Sequence, residues 1–295
     1  MNLTEIVGKD ILRRMSQKPS FWAVGIFPLT IFLLLSGCGQ RGDPPIMSYE
    51  EYRTIEIFAP YLLQASDDSG ELFYFGAEHS ACPQHPQMTQ IEEAWSSFKP
   101  DIAFSEGGVW PLMPTRDEAI SNFGEGGLLR FLAARDSVPI FSLEPSRVEE
   151  VLKLRREFDP EAIKLFYVLR QVMQYRRGKV YDEADLDAYA TEVLHVFSRV
   201  AGMDSPPQNL AEFEMACPRR FPHLRDWRQS PSDWFDPLAD VSITNRISRA
   251  VGRIRDVHMV KLLAEEVQQG RRVFAVAGYT HVVMQEKALR VKIGD

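Results

Sequence analysis

The chain has 295 residues, 45% of them apolar and 11% aromatic, with a formal net charge of −7. That length and apolar content are enough for one α/β domain with a substantial core, with or without a helical insertion. The acidic balance argues against nucleic acid or an anionic membrane surface as the main partner.

The N-terminal residues 1–37 carry Lys9, Arg13, Arg14 and Lys18, followed by an apolar run over 21–35 that ends in Leu35-Ser36-Gly37 before Cys38. A basic stretch, a short apolar run and small residues describe a secretory signal rather than a membrane span. The stretch before Cys38 resembles a bacterial lipobox, which implies cleavage there and acylation of the Cys38 thiol. Gly39 stands where an aspartate would retain such a lipoprotein in the inner membrane, so the resemblance implies an outer-membrane lipoprotein facing the periplasm of a Gram-negative bacterium. Residues 38–49, with Gly42, Pro44 and Pro45, read as the lipidated cysteine and its tether. A domain over 50–295 follows, with a helical insertion at about 157–242. Removal of 1–37 brings the net charge to about −9.

Four strand-like runs follow in chain order: 71–75, 101–105, 138–143 and 272–277. Each is short and almost continuously apolar, as strands buried on both faces of a parallel sheet are. Helical patterns occupy 88–98, 127–135 and 147–156, then a long stretch from 160 to about 200. The segment 205–240, rich in Pro, Trp and Arg, reads as an irregular excursion or lid. A helix over about 243–269 ends at Gly270, a C-cap glycine. Alternation of strands and helices gives an α/β fold class: a mainly parallel sheet with flanking helices and a helical insertion.

The chemistry lies where those strands end. Gly76-Ala77-Glu78-His79 follows the first run and Gly278-Tyr279-Thr280-His281 the last, while Glu106 ends the second and Glu144 the third. In both Gly-x-x-His patterns the glycine is expected to allow a sharp exit from the strand. Ligands of open parallel sheets bind beyond the carboxyl ends of the strands. Two imidazoles and one or two carboxylates at that edge suit a divalent transition metal such as Mn, Co, Zn or Fe. His79, His281 and Glu106 are then the candidate ligands, with Glu106 and Glu144 available for general-base work and Arg255 for charge stabilisation. Each residue also has a plainer role: a strand-end His is often solvated, Glu106 or Glu144 can begin a turn or cap a helix, and Arg255 follows Arg246, Arg249 and Arg253 on a surface-like helix. After Cys38, two cysteines remain, Cys82 and Cys217. An oxidising compartment favours a disulfide between them, and a thiol at the site is the alternative for Cys82, three residues beyond His79. His85, His195 and His223 carry no comparable context.

The ordered set Gly76/His79, Pro100-Asp101/Glu106, Leu143-Glu144, Arg255-Asp256 and Gly278/His281 resembles the TraB/PrgY/GumN/Tiki group, within the wider assembly of erythromycin esterase-like and ChaN-like proteins. The resemblance covers about 70–155 and 243–289. It implies a metal-dependent hydrolase, some relatives being peptidases, with His79, His281 and Glu106 at the metal, Arg255 beside them and Glu144 in a role that stays open. The partners implied are a membrane, through the lipid anchor, and a small-molecule or peptide substrate. Two other readings stand beside it. One is a ChaN-like haem- or iron-binding lipoprotein, which Gly-x-Glu-His with the nearby His85 would suit. The other is a scaffold that has lost its metal.

Overall fold

The computed structural model describes residues 44–108, 110–177 and 181–295, so the expected signal segment, Cys38 and the first part of the tether lie outside the described residues. Residues 44–295 make one compact unit. No helix among the described residues is long and apolar enough to cross a membrane.

Two strands dominate the centre: β2 (Glu71–Ala77) and β5 (Arg272–Gly278), each buried from its second residue onward. They pair in parallel with Ala77 opposite Gly278, so both end level at the same edge of the sheet. On the other side of β5 lies β3 (Ile102–Ser105), with Ser105 opposite Val276, and β4 (Ile140–Ser142) forms the edge beyond it. The last strand in sequence thus inserts between the first two parallel ones, giving the order β1-β2-β5-β3-β4. The outer strand β1 (Tyr61–Ser66) is antiparallel to β2 and was not expected from the sequence. It buries only Leu63 and Ala65, with Gln64 exposed between them, so it lacks the continuous apolar run that marks its neighbours. The Asp67 carboxylate accepts the N–H groups of Ser69 and Gly70, both at 2.8 Å, and tightens the β1–β2 turn.

Alternation along these strands sends side chains to two opposite cores. Leu72, Tyr74, Phe104, Val273 and Ala275 pack against Met259, Val260 and Leu263 of α8 (Ile243–Gln268) and Leu289 of α9 (Tyr279–Ile293). Phe73, Phe75, Ala103, Phe274 and Val276 meet Met88, Ile91 and Trp95 of α2 (Pro86–Phe98) and Leu128 and Leu132 of α3 (Arg116–Arg135). Phe274 is the hub of that second layer, stacked on Phe73 at 5.2 Å and edge-on to Trp95 at 5.3 Å. Truncating such a ring to Ala costs roughly 3–5 kcal/mol.

Several sequence expectations change. Residues 44–48 are no free tether: Ile46 packs on the core, Met47 N–H donates to Met284 O at 3.0 Å, and Ser48 caps α1 (Tyr49–Tyr52) in a capping box with Glu51. The stretch from 160 to 200 is two helices, α5 (Pro160–Arg176) and α6 (Glu183–Ser198), because the Asp182–Asp185 capping box starts a second one. They follow α4 (Arg147–Leu154), whose cap is Ser146. Inside 205–240 lies a further helix, α7 (Leu210–Arg220), capped by Asn209 but hidden in sequence by Pro218. Between α4 and α8 no strand occurs among the described residues, so this span is helical as expected. At the end of α8, Gly270 adopts φ +83°, the left-handed geometry of a helix stop. Cys82 is exposed and Cys217 buried, and both are free thiols rather than the pair that an oxidising compartment suggested.

Candidate functional site

The two Gly-x-x-His patterns do meet, though not for the reason their glycines suggested. Neither Gly76 nor Gly278 has a positive φ; both are needed for space. A Cβ on Gly76 would lie 2.7 Å from Tyr61 O and 2.9 Å from Tyr279 Cα, where β2 crosses the start of α9. At Gly278 it would lie 3.1 Å from His79 Nε2 and 3.4 Å from Glu106 Oε2. Gly278 is therefore the floor on which the His79 imidazole and the Glu106 carboxylate both rest. It is also the N-cap of α9, which places His281 in the first turn of that helix.

Glu106 sits between the imidazoles. Its Oε2 accepts Gly278 N–H at 2.7 Å, its Oε1 accepts an Arg255 Nη2 hydrogen at 2.8 Å, and His281 Nε2 lies 3.5 Å from Oε1. Arg255 also grips Glu144, donating from Nε at 2.6 Å to one oxygen and from Nη2 to the other, while Glu144 accepts Gly107 N–H at 3.1 Å. One guanidinium thus ties the ends of β3 and β4 to α8. Behind His281, Asp256 accepts from Nδ1 at 2.6 Å and from Gln285 Nε2 at 2.7 Å; its side chain is wholly buried. His79 has a carboxylate of its own, with Nδ1 2.6 Å from Glu125 Oε1.

The charged forms prevail in this cluster. Taking an ion out of water costs several kcal/mol, but a close opposite charge returns about 4 kcal/mol at an effective dielectric of 20. Burial pushes Glu106 up, yet His281, Arg255 and the Gly278 N–H hold it well below the usual carboxylate range. Glu144 is likewise lowered, burial being outweighed by Arg255. Burial would lower His281, but the charges of Asp256 and Glu106 carry it up to about 10. His79 is raised chiefly by its bond to Glu125.

A cleft of about 450 Å³ opens over this edge, lined by His79, Ser105, Glu106, Trp110, Phe123 and Glu125 among others. Glu125 reaches it because α3 is broken at Gly124, whose φ of +57° and ψ of −144° are not helical. A side chain there would press to 2.9 Å from Ser80 O. The break turns one helical turn toward the end of β2 and aims Glu125 at His79.

The expected site residues His79, Glu106, Glu144, Arg255 and His281 therefore share one end of the sheet. Cys82 does not line the cleft; its Sγ lies 3.6 Å from Gln84 Oε1. His85 precedes α2 at its N-cap, and His195 and His223 are exposed. Glu125 and the orienting role of Asp256 were missed. Three glycines in four residues, Gly124-Glu125-Gly126-Gly127, were the available signal, since a helix tolerates such a run only for a break or a close approach. For a metal, the donor chemistry fits: both imidazoles have Nδ1 held by a carboxylate, the usual outer-shell arrangement that leaves Nε2 for the ion. As the side chains stand, no three His, Cys, Asp or Glu among the described residues are gathered into a metal-holding group. Set against known protein families, curated proteins and solved structures, the chain matches none of them.

Proposed function

We propose that this protein is a metal-dependent hydrolase of the kind its motifs resemble, the TraB/PrgY/GumN/Tiki group, carried as a lipoprotein on the periplasmic side of the outer membrane. The observation that carries the reading is the pair of carboxylate-oriented imidazoles flanking a half-buried glutamate at the head of an open cleft. His79, His281 and Glu106 would hold a divalent ion such as Mn, Co, Zn or Fe, with His79, exposed on its loop, free to adjust. A bound ion supplies Lewis-acid polarisation of a scissile carbonyl and a more acidic water.

The chain's own groups do the rest. Asp256 and Glu125 fix the tautomers and ring planes of the two imidazoles. Arg255 holds Glu106 in place from behind the cleft and keeps that carboxylate ionised. Glu144 has both oxygens engaged by Arg255, so it positions that arginine rather than moving a proton itself.

Elemental analysis of protein purified without chelator tests the proposal. About one equivalent of a transition metal is expected, lost in the His79→Ala/His281→Ala double variant. No uptake after incubation with Mn²⁺, Co²⁺ or Zn²⁺ would overturn it. A peptide and ester panel on the loaded protein then identifies the bond cleaved.

A further inference from the structure

Beyond the ligand-bearing edge, the far wall of the cleft is built from an aromatic pair that none of the chemistry above uses. Trp110 and Phe123 lie with ring centroids 5.0 Å apart at 31°. The indole is wedged between glycines from two different elements. A Cβ on Gly107 would come within 3.0 Å of its Cζ2, and one on Gly126 within 2.4 Å of its Nε1. Gly107, at φ +75°, follows β3, whereas Gly126 lies two residues past the break in α3. One edge of the ring is thereby locked, while Trp110 and Phe123 both still face the cleft. A flat apolar surface fixed before a ligand arrives binds without the entropic cost of ordering it.

Carboxylates outnumber cations around that wall. Glu106 and Glu125 line the cleft against one cationic group, His79; among the described residues no Lys or Arg lines it. Arg255 reaches Glu106 from α8 and does not line the cleft.

We infer that Trp110 and Phe123 form a substrate subsite for a flat apolar group, uncharged or carrying a positive charge, and that the carboxylates beside it disfavour an anion. This rests on the hydrolase reading only for the word substrate; the subsite itself is a matter of binding. For a peptide or ester substrate it places an aromatic or cationic-aromatic group beside the bond presented to Glu106 and the imidazoles. Stacking on a fixed indole and attraction of a cation to its face and to nearby carboxylates are each modest at a partly open site, so together they give roughly a tenfold preference for an amine over an acid of the same shape.

Three probes with one ring and different charge test this: phenethylamine, 2-phenylethanol and phenylacetate, titrated at neutral pH into the full chain freed of metal and followed by ligand-observed NMR. The expected order of affinity is amine, alcohol, acid. Trp110→Ala should weaken all three several-fold, Trp110→Phe should keep most of the binding, and Glu125→Gln should shrink the advantage of the amine alone. A thermal melt of each variant separates lost binding from lost folding, and Trp110→Phe keeps the ring question answerable if Trp110→Ala unfolds. Phenylacetate binding as well as phenethylamine, no change in a folded Trp110→Ala protein, or no binding of any probe would overturn the subsite. The probes contain no scissile bond and no metal is present, so these outcomes are independent of metal uptake and turnover.

Discussion

The same four-letter pattern ends two neighbouring strands and produces two different histidines. His281 sits in the first turn of α9 with 15% of its side chain exposed, against an aspartate wholly removed from solvent. His79 stands on a loop with 70% of its side chain exposed, against a glutamate that is 12% exposed. Both Nδ1–carboxylate distances are 2.6 Å, yet only the inner imidazole is driven up to about 10. The bond length does not make the difference. Burial alone would lower the inner imidazole, but two carboxylates, Asp256 and Glu106, act on it where water screens little. The outer one is raised chiefly by its single bond to Glu125. The inner histidine is a fixed part of the scaffold, and the outer one is an adjustable arm.

The widest separation between the two should appear on removing their carboxylates. Asp256→Ala takes the nearest counter-charge from a largely enclosed imidazolium, leaving only Glu106 at 3.5 Å, and should cost about 3 kcal/mol in denaturant unfolding. Glu125→Ala, at the wet end, should cost about 1 kcal/mol or less. Equal losses would erase the distinction between scaffold and arm. The glycines sharpen it next. Gly76→Ala drives a methyl into backbone at Tyr61 and Tyr279, which cannot give way, and should cost about 1–3 kcal/mol. In Gly278→Ala the methyl meets side-chain atoms at 3.1 Å and 3.4 Å, so stability should fall by under about 1 kcal/mol while the exposed His79 swings aside and metal uptake drops. If the thermal melts of the two variants are shifted alike, the loop histidine is less free than its exposure indicates.

A site far from both histidines supplies a small effect that appears only with pH. The Asp136 carboxylate accepts from Trp95 Nε1 at 2.7 Å and is paired with Arg135. The Arg135 bond, then that of Trp95, lowers it from 3.8 to about 2. A depressed carboxylate adds stability above its unfolded value and loses it as pH falls toward the folded one. Asp136 should therefore contribute about 1 kcal/mol above pH ~4, vanishing by pH ~2, after allowance for its partial exposure. Asp136→Asn should flatten that part of the stability–pH curve, and an unchanged slope would assign it to other carboxylates.

Most of the sheet and all of the strand-end ligand types were legible, because both signals are local. Phe73 and Phe274 sit in runs too apolar to be anything but buried on both faces, and His79, Glu106, Glu144 and His281 are the polar residues that close them. Less local features escaped. The strand β1 buries one face only, so its two buried side chains left no pattern. At Gly76 and Gly278 the sequence suggests backbone freedom, yet the space they leave is set by neighbours distant in the chain.

By itself, then, the amino-acid sequence determined four of the five strands, the burial of three of them and the residues at their ends, since apolar periodicity and strand termini are properties of consecutive residues. The strand β4, at the sheet edge, leaves Phe141 exposed rather than buried on both faces. Tertiary structure alone decided that β5 enters between β2 and β3, which brings His281 beside Glu106 across 174 intervening residues. It also decided which carboxylate serves which imidazole: Glu125 reaches His79 through a break in α3, and Asp256 reaches His281 across the α8–α9 contact. Those pairings depend on the distance between elements and on the water excluded between them, and neither quantity is written in any short stretch of the chain.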